Sequence, residues 1–368
     1  MISMNNKIKT HMIFIKEKIK DNIFKILQSN PRVYCLQRVI RSINDSDYRE
    51  QIMKFNHDPD ILRIHRLGTQ NKEKNIYYIN VGNASMGFGA CFRYVLYGLF
   101  SAKQLGFTPV VRLSQECPYQ EKEPMMGTDN PFEYYFKQVS DITVVEALAS
   151  NRVFIHNDNY ISQIEKDLGN PAPELGTGYI VDEAYLQELA NLVKEYISLN
   201  EYTEKYINNS MEKLISEDWD TAKVLGIQVR GTDYALNWNG HPNMVQAADY
   251  FAEIDDVLNK YGFRYIFLAT DDQNRLIEFK NRYGNQLVYY DDVHRGTGQI
   301  NISLESNSRV KNAYLNGLEV IRDMYTLSRC DGFIAGLSQV SILTRVLRLS
   351  YGKQFEYLKV LDKGIYSK

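Results

Sequence analysis

One short stretch of the sequence, residues 224–233, most constrains what this chain can fold into. It runs Val-Leu-Gly-Ile-Gln-Val from Val224 to Val229 and then stops at Arg-Gly-Thr-Asp. A nearly uninterrupted apolar run indicates a strand buried on both faces, as in a parallel sheet. The guanidinium group of Arg230 and the small polar residues after it lie at the carboxyl end of this strand, where open α/β sheets bind ligands. The alternative is a surface salt bridge between Arg230 and Asp233 at a strand end.

Strands and helices alternate along the chain between residues 76 and 350. A strand predicted at 76–81 is followed by a glycine-rich turn, a helix over 91–105 and a strand over 108–113. Such a unit implies parallel strands joined by a right-handed crossover. Residues 152–180 are expected to be loop with a short helix. Further strands are predicted at 224–229, 265–269, 287–290 and 331–336. A helical hairpin is predicted at 185–215, and helices at 249–261, 276–283, 313–328 and 340–349, the last with Ser338 as its N-cap.

This alternation predicts an α/β protein with two Rossmann-type parallel-sheet domains facing across a cleft, where ligands commonly bind. The predicted boundaries place a basic helical extension and linker at 1–75 and a first α/β domain at 76–220. A second, Rossmann-like domain spans 221–350, and a C-terminal segment at 351–368 closes the chain.

The N-terminal segment, residues 5–45, is unusually basic. Between Lys7 and Arg41, nine Lys or Arg residues are opposed only by Glu17 and Asp21, and apolar residues recur along one helical stripe. Two interpretations stay open: this helix packs on the protein's own core, or it lies on an anionic membrane surface.

Composition excludes several classes of protein. A net charge of -2 argues against general nucleic-acid binding, and no run of 18 apolar residues predicts a transmembrane helix. The four cysteines form no close pair, which favours a reduced compartment over a disulfide framework or a zinc site. The abundance of Tyr, Asn, Lys and Ile favours an AT-rich bacterial gene.

Three predicted strands of the second domain end in polar residues, and in a parallel sheet these ends share one edge. An arginine fork suits a phosphate, carboxylates suit the N–H groups of guanine or a ribose hydroxyl, and a hydroxyl at a helix start suits phosphate oxygens. Together they predict a nucleoside-diphosphate pocket. The three pairs are Arg230 and Asp233, Asp271 and Asp272, and Ser338 and Gln339.

The turn between the first predicted strand and helix carries Gly82, Gly87 and Gly89. It does not match the GxGxxG fingerprint of dinucleotide-binding folds. Two roles stay open: a ligand approaches the backbone N–H groups at the helix start, or the turn only packs tightly.

Residues 224–349 resemble the three-motif catalytic region of the α1,6-fucosyltransferase and protein O-fucosyltransferase superfamily. Gln-Val-Arg-Gly-Thr-Asp at 228–233 is similar to the first motif, His-x-Arg-Arg-Thr-Asp. Leu-Ala-Thr-Asp-Asp at 268–272 resembles the second motif, and Phe-Ile-Ala-Gly-Leu-Ser-Gln at 333–339 the third. The Gly-Phe-Gly turn at 87–89 is similar to the glycine loop of the first domain of these enzymes.

The resemblance implies a GT-B fold and an inverting transfer of fucose from GDP-fucose, with no metal ion or other cofactor. The first domain is then the acceptor side, and the second binds GDP-sugar. The predicted donor-binding residues are Gly87, Gly89, Arg230, Asp271, Asp272, Ser338 and Gln339. An alternative interpretation takes the adjacent pair Asp271 and Asp272 for a metal-binding DxD motif.

Three positions depart from the family pattern, and the nearby glutamate of the α1,6 enzymes has no counterpart. The histidine and the second arginine of the first motif are Gln228 and Gly231, and the lysine after the aspartate is Tyr234. Arg295 or Arg345 is a candidate to supply the missing positive charge.

Candidates for the general base that activates the acceptor hydroxyl are Asp233, His241 and Asp129. Asp233 is alternatively a brace for Arg230, and His241 a solvated loop residue. Asn83 positions the acceptor or the donor, or only shapes the turn that contains it.

The sequence therefore predicts a glycosyltransferase that moves fucose from GDP-fucose to the hydroxyl of a glycan or a lipid-linked oligosaccharide, with no nucleic-acid partner. Bacterial surface polysaccharide synthesis in the cytoplasm, at the inner face of the membrane, is the expected setting. A nodulation-type oligosaccharide and a protein hydroxyl stay open as acceptors. Two alternatives for the function also stay open: the chain uses another nucleotide sugar, or it binds nucleotide or glycan without catalysis.

Overall fold

The computed structural model of the chain describes residues 40–46, 49, 64–156, 178–219, 221–297 and 308–367. The basic stripe predicted at residues 5–45 lies almost wholly outside the described residues. Among the described helices, none is both long and apolar enough to cross a membrane.

Strands and helices alternate through the described chain, as predicted. The strands are β1 (Ile64–His65), β2 (Ile76–Val81), β3 (Thr108–Leu113), β4 (Val153–Ile155), β5 (Val224–Val229), β6 (Tyr265–Thr270), β7 (Leu287–Val288), β8 (Gly332–Gly336) and β9 (Tyr357–Leu361). The helices are α1 (Phe88–Leu105), α2 (Val144–Ala147), α3 (Glu183–Tyr196), α4 (Glu201–Glu212), α5 (Ala247–Tyr261), α6 (Gln273–Tyr283), α7 (Asn312–Arg329) and α8 (Gln339–Ser350).

The chain divides into two compact units. The first unit comprises Met1–Ile79, Ala102–Val110 and Ser140–Asn157, and the second comprises Asn80–Ser101, Val111–Val139 and Asp158–Lys368. The core of the first unit is a set of buried apolar side chains. It contains Ile76, Tyr78, Val110, Ile142, Val144, Ala147 and Val153.

Strand β4 corrects the prediction of loop and short helix over residues 152–180. Its three residues, Val153–Ile155, pair in parallel with β2, and β1 pairs with β4 in the antiparallel sense. The four-stranded sheet has the order β1-β4-β2-β3. A three-residue apolar run carries too little periodicity to indicate a strand, and tertiary pairing with β2 decides its conformation.

The sheet of the second unit has the order β7-β6-β5-β8-β9 with every pair parallel. The chain moves from β5 outward to β7 and then returns to place β8 on the other side of β5. Strand order therefore reverses beside β5, and ligands of doubly wound sheets bind at the carboxyl ends of the strands at such a point. The predicted α/β class with parallel-rich sheets is confirmed.

Central strand β5 is buried along its whole length, which explains its apolar sequence. Leu225, Ile227 and Val229 belong to one apolar cluster, which also takes in side chains of α5 and α6. Val224 belongs to a second cluster that includes Leu327 of α7. Because the two sets alternate along the strand, each covers one face of the sheet.

Candidate functional site

Arg230 directly follows β5 and is held between two carboxylates. Its Nη2 lies 2.8 Å from Asp233 Oδ1, and its Nη1 donates to Asp271 Oδ2. Burial opposes the charge of Arg230, but Asp271 and Asp233 outweigh burial and raise the pKa of the guanidinium above its ordinary value. With 21% of its side chain exposed, Arg230 is a fixed cation that an anionic ligand can reach.

The carboxylates of Asp271 and Asp272, predicted to bind base or ribose, are engaged within the protein. Asp271 also accepts hydrogen bonds from the Gly231 backbone N–H at 2.9 Å and from Thr232 Oγ1 at 2.8 Å. Asp272 is the N-cap of α6 and accepts from the backbone N–H groups of its first turn. The pair thus organises the end of β5 and the start of α6.

Gly231, which stands where the family motif has its second arginine, is in close contact with Asp272. A Cβ built on Gly231 would lie 2.4 Å from Asp272 Cβ, closer than real Cβ atoms approach other atoms. A side chain at 231 therefore requires Asp272 and the start of α6 to move.

Replacing Gly231 by Ala should lower the free energy of unfolding by about 1–3 kcal/mol, because the added methyl overlaps Asp272. Urea denaturation measures the loss. In a double-mutant cycle, Asp272→Gly should relieve most of the Gly231→Ala penalty. Strictly additive effects of the two substitutions would show that the contact is not the cause.

Ser338 is buried at the start of α8, and its hydroxyl is fully occupied. It accepts from the Ser341 backbone N–H at 2.9 Å, as the predicted N-cap does, and it donates to Gln228 Oε1 at 2.9 Å. Gln228, in the position of the family histidine, thus links the ends of β5 and β8. The contribution of Ser338 to an anion site comes from placing the start of helix α8 beside Arg230.

The glycine turn and the start of α8 are in contact. A Cβ on Gly89 would lie 2.8 Å from Gln339 Cβ, so glycine at 89 permits this approach. The buried side chain of Arg93 donates to Gln339 Oε1 at 2.9 Å. Gly87 directly precedes α1, and its carbonyl accepts from the Cys91 backbone N–H. The glycine loop thus supports Gln339.

Asn83 and Asp129, predicted on the acceptor side, have local partners. The Asn83 carboxamide accepts from the Ser85 backbone N–H at 2.9 Å and from its hydroxyl at 2.7 Å. Asp129 pairs with Arg112 at 3.3 Å. These contacts shape the turn around Asn83 and the segment around Asp129.

A cavity opens at the carboxyl ends of β5 and β6, beside α7. It is lined by Gln228, Arg230, Ala269, Thr270, Asp271, Val293, His294, Asn316, Glu319, Val320, Asp323 and Val340. Asn83, Asp129, Arg295 and Arg345 are not among these residues. Arg345 donates to Glu183 at 3.0 Å, and Arg295 donates to the carbonyl of Tyr290 at 2.7 Å.

Asp323 of α7 is a site residue that the sequence analysis missed. Burial raises the pKa of its carboxyl to about 7, although Arg322 and Arg295 act in the opposite direction. Among the described residues, none donates a hydrogen bond to this carboxylate. A signal was present: Asn316, Glu319 and Asp323 recur at helical spacing along α7, and Asn316 and Glu319 are buried, where an amphipathic helix normally places apolar residues.

His241 lies in the loop after Arg230, within an aromatic group. Its ring centroid is 6.3 Å from that of Tyr234 and 5.5 Å from that of Trp238. Burial lowers the pKa of the imidazole, Asp233 acts to raise it and Arg230 to lower it. At neutral pH the ring is therefore mainly uncharged and able to accept a proton.

Among the described residues, no group of three His, Cys, Asp or Glu side chains lies close enough together to hold a metal ion. The two carboxylates of the suspected DxD pair are bonded to Arg230 and to the start of α6.

A fixed cation beside a helix start, at the switch point of a doubly wound sheet, is typical of nucleotide-binding α/β proteins. Residues 106–356, more than half of the 368-residue chain, match the family described as alpha-(1,6)-fucosyltransferase N- and catalytic domains. The chain belongs to this family and is a glycosyltransferase. The predicted family is confirmed.

Solved structures with a similar fold were compared with the chain. The NodZ α-1,6-fucosyltransferase soaked with GDP-fucose is 18% identical, with a TM-score of 0.42 over 75% of this chain and 92% of that chain. The fucosyltransferase NodZ from Bradyrhizobium is 15% identical, with a TM-score of 0.41 over 75% and 93%. POFUT1 in complex with GDP-fucose is 12% identical, with a TM-score of 0.47 over 81% and 100%. No curated protein matches the sequence.

Proposed function

We propose that the chain transfers fucose from GDP-fucose to a glycan hydroxyl, with inversion at the sugar carbon. The observation that carries the proposal is that Arg230 and Asp323 line one cavity at the switch point of the sheet. Arg230 suits a diphosphate, and Asp323 suits a nucleobase with adjacent N–H donors. Family membership supports fucose as the transferred sugar.

Guanine fits a carboxylate better than the other common bases do. Its N1–H and 2-amino group point in the same direction, so one carboxylate accepts both hydrogen bonds. Uracil flanks its single N–H with two carbonyl oxygens that repel a carboxylate, and adenine offers only its 6-amino group beside an acceptor nitrogen. The partly buried Asp323 therefore favours GDP over UDP or ADP.

In the proposed reaction, the acceptor oxygen forms a bond to the anomeric carbon while the bond from that carbon to the β-phosphate oxygen breaks. GDP leaves with the electron pair, and Arg230 together with the start of α8 stabilises its growing negative charge. We assign the acceptor proton to neutral His241 and the brace of Arg230 to Asp233. No metal ion takes part in this scheme.

The biological setting is part of the proposal. We infer a bacterial enzyme at the cytoplasmic face of the membrane that modifies a surface polysaccharide or its lipid-linked precursor. The basic composition of residues 5–45 supports contact with an anionic membrane.

A thermal-shift series with GDP, UDP and ADP, followed by an assay of GDP release from GDP-fucose, tests the proposal. We expect GDP to raise the Tm most and GDP release to depend on an added saccharide acceptor. A larger shift with UDP or ADP would indicate another nucleotide sugar. GDP stabilisation without turnover on any acceptor would favour the alternative of a binding protein, which would then be explained by the absence of the second motif arginine at Gly231.

A further inference from the structure

We propose that Trp238 forms an acceptor subsite, an exposed aromatic face that stacks against a sugar ring of the acceptor. This inference rests on the proposed function, because it requires a saccharide acceptor. The proposal concerns the loop of residues 233–243, which lies within the segment that joins β5 to α5.

This loop is buried where it begins and exposed at its tip. Asp233 and Tyr234 are buried, whereas 45% of Trp238 is exposed. Asn237, in the left-handed region at φ 50°, ends a 3-10 turn immediately before the tryptophan. A large apolar ring is thus left in water at the tip, and a ligand that covers it gains the free energy of its burial.

A series of contacts connects Trp238 to the cation of the donor site. The guanidinium carbon of Arg230 lies 5.7 Å from the ring centroid of Tyr234, whose ring lies 6.3 Å from that of His241. The His241 ring lies 5.5 Å from that of Trp238 at an interplanar angle of 81°. A sugar ring stacked on Trp238 is therefore next to the imidazole that we assign to accept the acceptor proton.

The C-terminal segment fixes the other end of the loop. The Gly240 backbone N–H donates to the Tyr366 carbonyl at 2.8 Å, and the Tyr366 N–H donates to the His241 carbonyl at 2.8 Å. The Asn243 N–H donates to the Gly364 carbonyl at 2.9 Å. These bonds hold the loop in place before any ligand binds, so little conformational entropy is lost when the indole face is covered.

The chemistry around the indole suits a carbohydrate. A pyranose has an apolar face of C–H groups, which packs on an aromatic ring, and a rim of hydroxyls, which need polar partners. Exposed Asn237 and Asn239 flank Trp238 in the sequence with amide groups that both donate and accept. A mixed site of one aromatic face and several amides is suited to such a ligand.

Fluorescence offers a direct test, because the chain contains only two tryptophans, Trp219 and Trp238. In the Trp219→Phe variant, Trp238 is the sole indole emitter. We expect at least one of cellotetraose, chitotetraose and mannotetraose to shift or quench its emission saturably in the presence of GDP. If GDP stabilises the variant and none of the three changes the emission, the subsite is overturned while the proposed function stands; if GDP does not stabilise the wild-type chain, the proposed function itself fails.

Kinetics with the saccharide that binds provide the second measurement. Trp238→Ala should raise its KM about tenfold, and Trp238→Phe should keep most of the wild-type affinity. Tyr351→Ala, which removes another exposed aromatic ring (46% exposed), is the control and should leave the KM unchanged. The GDP-induced rise in Tm checks that each variant keeps the donor site. An unchanged KM in Trp238→Ala would overturn the proposal.

Discussion

Replacing Arg230 by Ala is expected to lower the rate of fucose transfer by about a thousandfold. Arg230 provides the cation that stabilises the leaving GDP, and removing such a group costs about two to three orders of magnitude in turnover. The acceptor-dependent release of GDP from GDP-fucose, measured at saturating donor, gives the effect on kcat directly.

The same substitution should also destabilise the fold. Asp233 and Asp271 lie against Arg230 with side chains only 6% and 12% exposed, so removing the cation leaves two carboxylates close together. We expect a loss of about 3 kcal/mol in the free energy of unfolding. Arg230→Lys separates the two effects, because it keeps the charge but cannot bridge both carboxylates.

A matched control is available on the surface of the same unit. Arg264 pairs with Glu217, and 51% of its side chain is exposed. Arg264→Ala should change stability by less than about 0.5 kcal/mol and leave turnover intact. If folded Arg230→Ala kept wild-type turnover, the cavity beside β5 would not be the transfer site.

The sequence was sufficient to predict strands β5 to β8 of the second unit and their polar ends, but not the edge strand β9, which lies in the segment predicted only to close the chain. A central strand must be apolar on both faces, so β5, β6 and β8 appear as short apolar runs that stop at polar residues. The cap at Ser338 was also predictable, because its pattern is local.

The roles of individual carboxylates could not be predicted in the same way. Adjacent acids at a strand end have the same appearance in the sequence whether they face a ligand or the protein. Only the structure shows that Asp271 bonds to Arg230 and that Asp272 caps α6. Asp323 was overlooked for the opposite reason: it lies within a helix and outside every motif, and only folding brings it to the cavity.

Close contacts between segments of the backbone could not be predicted from the sequence either. The absence of the second motif arginine at Gly231 was visible in the sequence as a departure, but its physical reason is contact with Asp272. Such a contact depends on where α6 begins relative to β5, which no local pattern encodes.

The affinity for GDP is expected to depend on pH through Asp323. Its carboxyl must be ionised to accept the N–H groups of guanine, and burial raises its pKa to about 7 in the free protein. The dissociation constant for GDP should therefore rise by up to about tenfold per pH unit below 7 and level off above it. Calorimetric titration between pH 5.5 and 8.5 measures this dependence.

Asp323→Asn keeps the shape of the side chain and removes its charge. We expect GDP to bind about 10- to 100-fold more weakly at pH 8, since a hydrogen bond to a charged acceptor contributes about 1.5–3 kcal/mol. Because only Asp323 is changed, the variant also distinguishes its effect on GDP affinity from the effects of His294 and Glu319, which line the same cavity. Asp141→Asn, on the surface with 77% of the side chain exposed, is the control and should keep wild-type affinity.

Inosine diphosphate lacks the 2-amino group and so tests the orientation of the base. The wild-type chain should prefer GDP to inosine diphosphate, and Asp323→Asn should narrow that preference because the carboxylate no longer accepts from the amino group. An unchanged preference in the variant would place the guanine elsewhere in the cavity.

The stability of the free protein should change with pH in the opposite direction to the affinity. The folded-state pKa of Asp323 lies above the value of about 3.9 that an aspartate has in an unfolded chain. Its contribution to stability is therefore complete below pH 4 and is lost as the pH rises through 7. Urea denaturation without ligand should show this decline in the wild-type chain and a smaller one in Asp323→Asn. If the free energy of unfolding changed with pH in the same way in both proteins, the carboxyl of Asp323 would not be the group with the raised pKa.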